Sequence, residues 1–339
     1  MARVVVTGGA GKLGRACVEE LVRHGWDVVV FDRVRPLSES GAVFVPIDLT
    51  DYGQVLDAML GVEERYVRPD ALVHLAAVPA PGRVPDHLTF MNNISCTWNV
   101  LSAARRAGVT NIVWASSETV LGLPFDTPPP YIPVDEDYPP RPESTYSLVK
   151  TLEEAMAAQL CRWNPELKMI GLRFSNVMEP ADYARFPSFN DDPGSRKWNL
   201  WGYIDARDGA QAVRLALESD LTGTEIFIIA NADTVMSRPN AALIKEFYPD
   251  VEVRGDLGEH DTLLSIEKGH TATRLPTRLQ LARRRHVLSP IVINSAITGA
   301  TDDTDGGQRF VAGQQHQCPA ACPPSMYSVS PVTNVACSR

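Results

Sequence analysis

No apolar run among these 339 residues approaches the roughly 20 that a membrane-spanning helix needs. Positive charge is also short: 32 Lys and Arg stand against 41 Asp and Glu, for a net charge of -9. Nucleic acids and anionic membranes are gripped by clustered basic side chains, so neither is expected as a partner. Cysteine is sparse, six in all. Nothing ahead of Gly269 has the spacing of a disulfide framework or a zinc site, and no metal is expected. Cys17, Cys96 and Cys161 fall inside helical patterns and read as buried thiols, while Cys318, Cys322 and Cys337 crowd the end. The opening Met1–Gly8 runs straight into a strand and a glycine turn, without the pattern of a secretory leader. A reducing cytoplasm is the expected compartment.

What remains is ordinary for a globular chain, with 44% hydrophobic and 22% charged residues. Its length suits one large domain, or one domain plus a smaller lobe. Short β-branched runs alternate with helical spacing. Strands are predicted at Arg3–Thr7, Asp27–Phe31, Val43–Ile47, Ala71–Leu75, Asn111–Ala115 and Met169–Leu172. Helices are predicted from Leu13 past Leu21, and at Tyr52–Leu60, Phe90–Ala107 and Ser144–Arg162. Strands that read as unbroken apolar runs are covered on both faces, which implies a parallel sheet between helices. The predicted fold is therefore α/β, a doubly wound parallel sheet of the Rossmann kind with a small C-terminal substrate lobe.

Residues 1–174 form the predicted nucleotide-binding domain. Beyond them Pro180, Pro187, Pro193 and Gly194 mark loops, followed by a helix near Asp205–Leu217 and a strand at Glu225–Ile229. Residues 175–268 read as the small lobe, with some returns to the main sheet. From Gly269 to Arg339 the apolar pattern keeps no period, and Cys318–Pro324 is rich in proline. That segment reads as a poorly ordered tail, with a partner-binding extension as the alternative.

Three places carry chemistry. The first is Gly8-Gly9-Ala10-Gly11-Lys12-Leu13-Gly14, between a strand and a helix. Glycines at 8, 11 and 14 let backbone approach a pyrophosphate, whose charge the helix N-terminus holds. The second is Asp32, ending the second strand. A carboxylate there accepts bonds from an adenosine ribose and repels a 2′-phosphate, which favours NAD over NADP. Arg33 and Lys12 are the cations that could serve a phosphate instead. Asp48-Leu49 follows the third strand, within reach of an adenine. Leu75-Ala76-Ala77 offers small residues beside the cofactor, and the adjoining His74 reads as a packed core histidine without chemistry.

The third is Tyr146-Ser147-Leu148-Val149-Lys150. Residues four apart share one helix face, and Ser144 or Thr145 is placed to cap the helix. A phenol titrates near 10 and is a poor base at neutral pH. A neighbouring ammonium favours the phenolate. Tyr146 would then exchange a proton with a substrate hydroxyl while hydride moves to or from a nicotinamide. Ser117, ending Trp114-Ala115-Ser116-Ser117, places a hydroxyl where it polarises the reacting oxygen.

Taken together, these residues resemble the extended short-chain dehydrogenase/reductases, the NAD-dependent epimerase/dehydratase family. The resemblance covers about residues 1–265 and includes Leu172-Arg173-Phe174-Ser175-Asn176 and Asp205-Ala206-Arg207-Asp208. It implies Ser117 as the catalytic hydroxyl, Tyr146 as the base and Lys150 as the ribose-binding lysine. It also implies Asn93 as a supporting residue of the site and Asn176 as one near nicotinamide and substrate. A homodimer through the helices at Phe90–Ala107 and Ser144–Arg162 is implied as well.

Departures from the family narrow the expected reaction. Its dehydratases resemble one another in an Asp-Glu pair after the catalytic Thr. Here Glu118-Thr119 follows Ser117, which disfavours dehydration. Epimerases often carry Tyr where this chain has Leu121. The short lobe and the tryptophans near residue 200 look more like the family's sugar and uronate dehydrogenases. Arg173, Arg196 and Lys197 could hold a carboxylate or sugar hydroxyls, or be solvated surface charges. Trp198 and Trp201 could stack on a sugar or belong to the core. The leading expectation is NAD-dependent oxidation of a sugar or sugar acid. The alternatives are a nucleotide-sugar 4-epimerase and a non-catalytic NAD-binding regulator.

Overall fold

The valine runs Val4–Val6 and Val28–Val30 are buried on both faces and become central strands. The computed structural model describes residues 1–36, 40–61 and 68–273. The first half comprises β1 (Arg3–Thr7), α1 (Lys12–Arg23), β2 (Asp27–Asp32), β3 (Val43–Pro46), α2 (Tyr52–Leu60), β4 (Ala71–His74), α3 (Asp86–Arg106), β5 (Asn111–Ser117) and β6 (Tyr131–Ile132). Then come α4 (Thr145–Trp163), β7 (Lys168–Phe174), β8 (Val177–Met178), α5 (Phe186–Asp191), β9 (Ile204–Asp205), α6 (Ala206–Glu218), β10 (Gly223–Ile229), α7 (Asn240–Phe247), β11 (Glu252–Val253) and α8 (Glu267–Thr273).

Seven strands form one sheet in the order β10-β7-β5-β4-β1-β2-β3, and all its pairings are parallel. This is the doubly wound arrangement the alternating pattern predicts. The chain leaves β1 for β2 and β3, then returns to lay β4 on the other side of β1. Ligands of such sheets sit where the order reverses, beyond the carboxyl ends of the strands. Here that point lies between β1 and β4, whose ends are matched at Thr7 and His74.

Side-chain alternation divides the core between the two faces. Val5 turns to the face covered by Val55 and Met59 of α2, Val100 and Leu101 of α3 and Leu160 of α4. Val4 and Val6 turn to the other, covered by Cys17 and Leu21 of α1 and Val213 and Leu217 of α6. A third apolar cluster gathers Trp201, Tyr203, Tyr248, Leu263 and Leu264. It also draws on Val120, Leu121, Ile132 and Val134, which follow β5. The short parallel pairs β6–β11 and β8–β9 belong to this part of the molecule.

Several boundaries differ from the sequence-based ones, most of them by one or two residues. The third helix begins at Asp86 rather than Phe90, because Pro85 turns the chain and its carbonyl accepts from Leu88 and Thr89. The strand predicted at Met169–Leu172 runs from Lys168 to Phe174, since pairing with β5 and β10 continues over its whole length. Cys17, Cys96 and Cys161 are buried free thiols. Cys318, Cys322 and Cys337, and the tail predicted from Gly269, lie outside the described residues from 274 on, while Gly269–Thr273 close α8. Among the described residues, no helix is long and apolar enough to cross a membrane.

Candidate active site

Gly8 leaves β1 at φ +74°, and a Cβ there would stand 2.7 Å from the backbone nitrogen of Ala76. Gly14 is packed still closer, since its Cβ would lie 2.1 Å from the carbonyl oxygen of Gly8. Only hydrogen at both positions lets the turn close between β1, α1 and the segment after β4. Gly11 precedes α1 as its N-cap, supplies no side-chain cap, and donates its N–H to the Gly8 carbonyl at 3.1 Å. The first N–H groups of a helix lack intrahelical acceptors. Those of Lys12 and Leu13 therefore face outward at the positive end of the helix, which suits a diphosphate.

Asp32 braces this turn from the end of β2, accepting from Ala10 N at 3.0 Å and Val34 N at 3.1 Å. The two cations offered by the sequence meet carboxylates. Lys12 Nζ lies 2.5 Å from Asp182, and Arg33 Nη2 lies 3.0 Å from Asp48. Hydrogen bonds from Thr50, helped by Arg33, hold the Asp48 carboxyl below the usual carboxylate range. Arg15 of α1 likewise reaches Glu179 at 2.6 Å. Leu49 is buried, and its carbonyl accepts from Asn99 at 3.0 Å.

At the end of β4, the backbone nitrogens of Leu75 and Ala76 donate to Thr7 Oγ1 at 3.2 and 3.3 Å, and Ala77 continues this segment. Asn93 of α3 is fully buried and clamps the next stretch. Its Oδ1 accepts from Val78 N at 2.7 Å, and its Nδ2 donates to Val78 O at 3.1 Å. Its direct bonds therefore hold the backbone floor of the crevice.

The structure brings Ser117, Tyr146 and Lys150 together. Ser144 caps α4, exchanging hydrogen bonds with Ser147 at 2.9 and 3.1 Å. This fixes the first turn and turns Tyr146 and Lys150 to the buried face. The Tyr146 phenol comes close to the Ser117 hydroxyl at the end of β5, near enough for that hydroxyl to favour the phenolate. Lys150 Nζ stands 5.9 Å from the centre of the Tyr146 ring. It donates to Ala115 O and to Glu153 Oε2, each at 2.8 Å. Burial pushes the Tyr146 phenol above its ordinary pKa, and the Lys150 ammonium and the Ser117 hydroxyl work against that rise. Burial alone would lower Lys150, but Glu153 and Tyr146 outweigh it and the net direction is upward.

Beyond Ser117 lies a second polar group. Glu118 is buried, accepting from Ser175 Oγ at 2.5 Å and from Asn199 Nδ2 at 3.1 Å. Burial outweighs these bonds and lifts its carboxyl to about 7. Asn176 Oδ1 accepts from Arg196 at 3.2 Å, and Arg196 also donates to Gly202 O at 2.7 Å. The Arg196 guanidinium lies over the rings of Phe189 and Trp198. Trp198 is thus the aromatic partner of a buried cation. Trp201 takes the core alternative, fully buried with its indole nitrogen bonded to Pro193 O at 2.8 Å.

Arg173 stands apart from this group. It is buried and grips Glu154 through two bonds of 2.9 Å, so a carboxylate of the chain itself meets its guanidinium. Sequence reasoning missed Glu153, Glu154 and Asn199. The two glutamates were visible as carboxylates three and four positions beyond Lys150, a spacing that shares its helix face. Asn199 carried no local signal.

Residues 4–230 match the family model described as the NAD dependent epimerase/dehydratase family. UDP-glucose 4-epimerase of Erwinia amylovora is 31% identical over 218 residues, which is 59% of this chain and 60% of that protein. The chain spans 50 to 60% of the first curated relatives it matches. A solved UDP-galactose 4-epimerase is similar with a TM-score of 0.59 and 27% identity, covering 80% of this chain and 92% of the other. A short-chain dehydrogenase/reductase superfamily protein from Agrobacterium tumefaciens, solved with bound NAD, shares the fold at a TM-score of 0.61 and 24% identity, over 84% of this chain and 98% of that one. With a family model matched over residues 4–230, the chain belongs to the NAD-dependent epimerase/dehydratase family.

Proposed function

We propose that this chain binds NAD across the β1–β4 crevice and exchanges hydride with a carbinol carbon of a sugar or sugar-derived substrate. The observation that carries this reading is the buried Tyr146 phenol, set beside Ser117 and flanked by the Lys150 ammonium. The tight Gly8–Gly14 turn and the uncapped start of α1 fit the cofactor's diphosphate. Asp32 at the end of β2 is the ribose acceptor, which favours NAD over NADP. NAD supplies the hydride acceptor. The protein supplies the proton path: Tyr146 takes the hydroxyl proton as the carbon–hydrogen bond yields its hydride and the C–O bond becomes a carbonyl. Ser117 donates to the oxygen throughout. Glu118, Asn176 and Trp198 line the substrate side of this reading.

Two net outcomes share that step. Release of an oxidised sugar or sugar acid makes the chain a dehydrogenase, in keeping with the short lobe and the buried Leu121. Return of hydride to the opposite face makes it an epimerase, which the relatives named above favour. A panel of aldoses, uronic acids and UDP-sugars with NAD and NADP separates them. Growth of reduced-nicotinamide absorbance marks a dehydrogenase, and sugar interconversion without it marks an epimerase. Hydride exchange with none of the panel would remove the reading and leave a non-catalytic NAD-binding regulator.

We also infer a homodimer. The adjacent helices α3 and α4 expose Leu88, Met91 and Trp98 on one and Leu148, Leu152 and Trp163 on the other. Spacings of three, four and seven put such residues in one stripe along a helix. A second copy offering the same stripes would bury them in a four-helix contact. Light scattering should give twice the chain mass for the native protein and the single-chain mass for a Trp98→Glu/Leu152→Glu variant. A native protein already at single-chain mass would sink this inference.

A further inference from the structure

Glu153 is a buried carboxylate with no part in the mechanism so far. Its side chain is 1% exposed and that of Lys150 4%, and their charged atoms are 2.8 Å apart. The other carboxylate oxygen accepts from Thr97 Oγ1 of α3 at 2.8 Å. Thr97 spends its only proton there, so the 3.0 Å contact with His74 Nε2 must be donated by the histidine. His74 Nδ1 is then the acceptor of the 2.7 Å bond from Thr7 Oγ1. The Thr7 oxygen in turn receives the Leu75 and Ala76 N–H groups beside the glycine turn. A neutral His74 is consistent with this polarity, since burial drives its pKa to about 3. One unbroken chain of donors therefore runs from the cofactor crevice to Glu153 and fixes the carboxylate against Lys150.

We propose that Glu153 is a positioning residue: its carboxylate anchors the Lys150 ammonium beside the Tyr146 ring and sets the pH range in which both groups carry their working charges. This rests on the catalytic reading above and deepens it. The groups that face the pair come from several elements. Tyr146 meets Ser117 and Glu118 from β5 and the turn after it, and Lys150 and Glu153 from its own helix. Lys150 meets Ala115 O and His74 from the sheet, and Tyr146, Glu153 and Glu154 from α4. Glu153 meets Thr97 and Cys96 from α3. Glu154 is already engaged by Arg173 and Ser116. That leaves Glu153 as the carboxylate in direct contact with the Lys150 ammonium.

The sign of its effect is the same for both partners. An anion near a phenol disfavours the phenolate, and an anion near an ammonium favours the ammonium. Removing the charge therefore moves both titrations to lower pH. In the NAD-loaded full chain, with tyrosines carbon-13 labelled, the Tyr146 resonance is identified by its loss in Tyr146→Phe. Glu153→Gln should lower its midpoint by about one pH unit. Glu153→Asp, which keeps the charge, should leave it within a few tenths of a unit. Glu153→Leu removes the charge at similar volume and should give the same downward shift, which covers a glutamine variant that does not fold. The pH profile of turnover should move to lower pH along both limbs, where a purely structural role would lower the plateau and leave the limbs in place. A midpoint that is unchanged or raised in the uncharged variants overturns the proposal. The catalytic reading fails separately, if Tyr146→Phe keeps its turnover.

Discussion

On the proposed function, Tyr146→Phe should cost this chain about 10²- to 10⁴-fold in turnover, the range supplied by a positioned general acid or base. That is a barrier increase of about 3–5 kcal/mol from the loss of one oxygen atom. The fold should barely notice. Ser117 Oγ still accepts from Thr119 N and Oγ1, at 3.2 and 3.0 Å, and a lost neutral hydrogen bond is worth about 1 kcal/mol. Phenylalanine also keeps the ring against Lys150. NAD affinity, read from tryptophan quenching, should stay within about threefold, because the phenol serves the reacting oxygen and the diphosphate is held elsewhere. Steady-state kinetics on whichever substrate the panel yields make the measurement. A phenylalanine variant within tenfold of the native rate would remove Tyr146 from the chemistry.

Gly14→Ala should be the most damaging single methyl in the dinucleotide turn. The new carbon would stand 2.1 Å from Gly8 O, 2.9 Å from Gly8 C and 2.8 Å from Gly9 Cα. All three are backbone atoms, so no side chain can swing aside. Relief requires α1 to withdraw from β1 by more than an ångström. That movement strains the Gly11 N–Gly8 O and Ala10 N–Asp32 bonds that shape the turn. Overpacking typically costs about 1–3 kcal/mol, and each weakened hydrogen bond adds about 1 kcal/mol. A total of about 3–5 kcal/mol is a large part of a typical domain's stability of about 5–15 kcal/mol. Thermal melts should show it as a fall of about 10 °C or more, and NAD binding should weaken at least about 100-fold. Gly11→Ala is the matched control. Its carbon would meet Gly8 O at 3.4 Å, an ordinary contact, so its cost should be that of an altered N-cap, about 1 kcal/mol or less. Similar effects of the two substitutions would mean that backbone proximity is not what demands glycine at 14.

The parts of this protein that could be read from the sequence are those in which neighbours in the chain are neighbours in space. The unbroken valines of β1 and β2, the glycines between β1 and α1, and the one-turn spacing of Tyr146 and Lys150 carry their meaning locally. Ser144 as the cap of α4 belongs with them. What escaped notice is assembled from distant segments. The line from Thr7 through His74 and Thr97 to Glu153 takes one residue from each of β1, β4, α3 and α4. Each looks unremarkable alone, and His74 reads as an inert core residue. Arg173 read as a cation for substrate because its partner Glu154 sits on a different element. The region after residue 175 was blurred for another reason. Its 3₁₀ turns at Pro180–Arg185 and Pro193–Asn199, and its two-residue strands, are too short to show any period. Its apolar cluster also recruits Val120 and Ile132, which lie far ahead of residue 175.

The sheet order also dictates a timetable for synthesis. The interior strand β1 is made before the strands that flank it, and Val4–Val6 must wait for partners that arrive later on either side. The right-hand side, β2 and β3, can be added within the next few dozen residues. The left-hand border closes only when Gly223–Ile229 emerges to cover β7. Until then β7 presents a bare apolar margin of open hydrogen-bonding groups, the kind of surface on which nascent chains stick to one another. The interval between Phe174 and Gly223 is thus one in which a growing chain carries that edge unpaired.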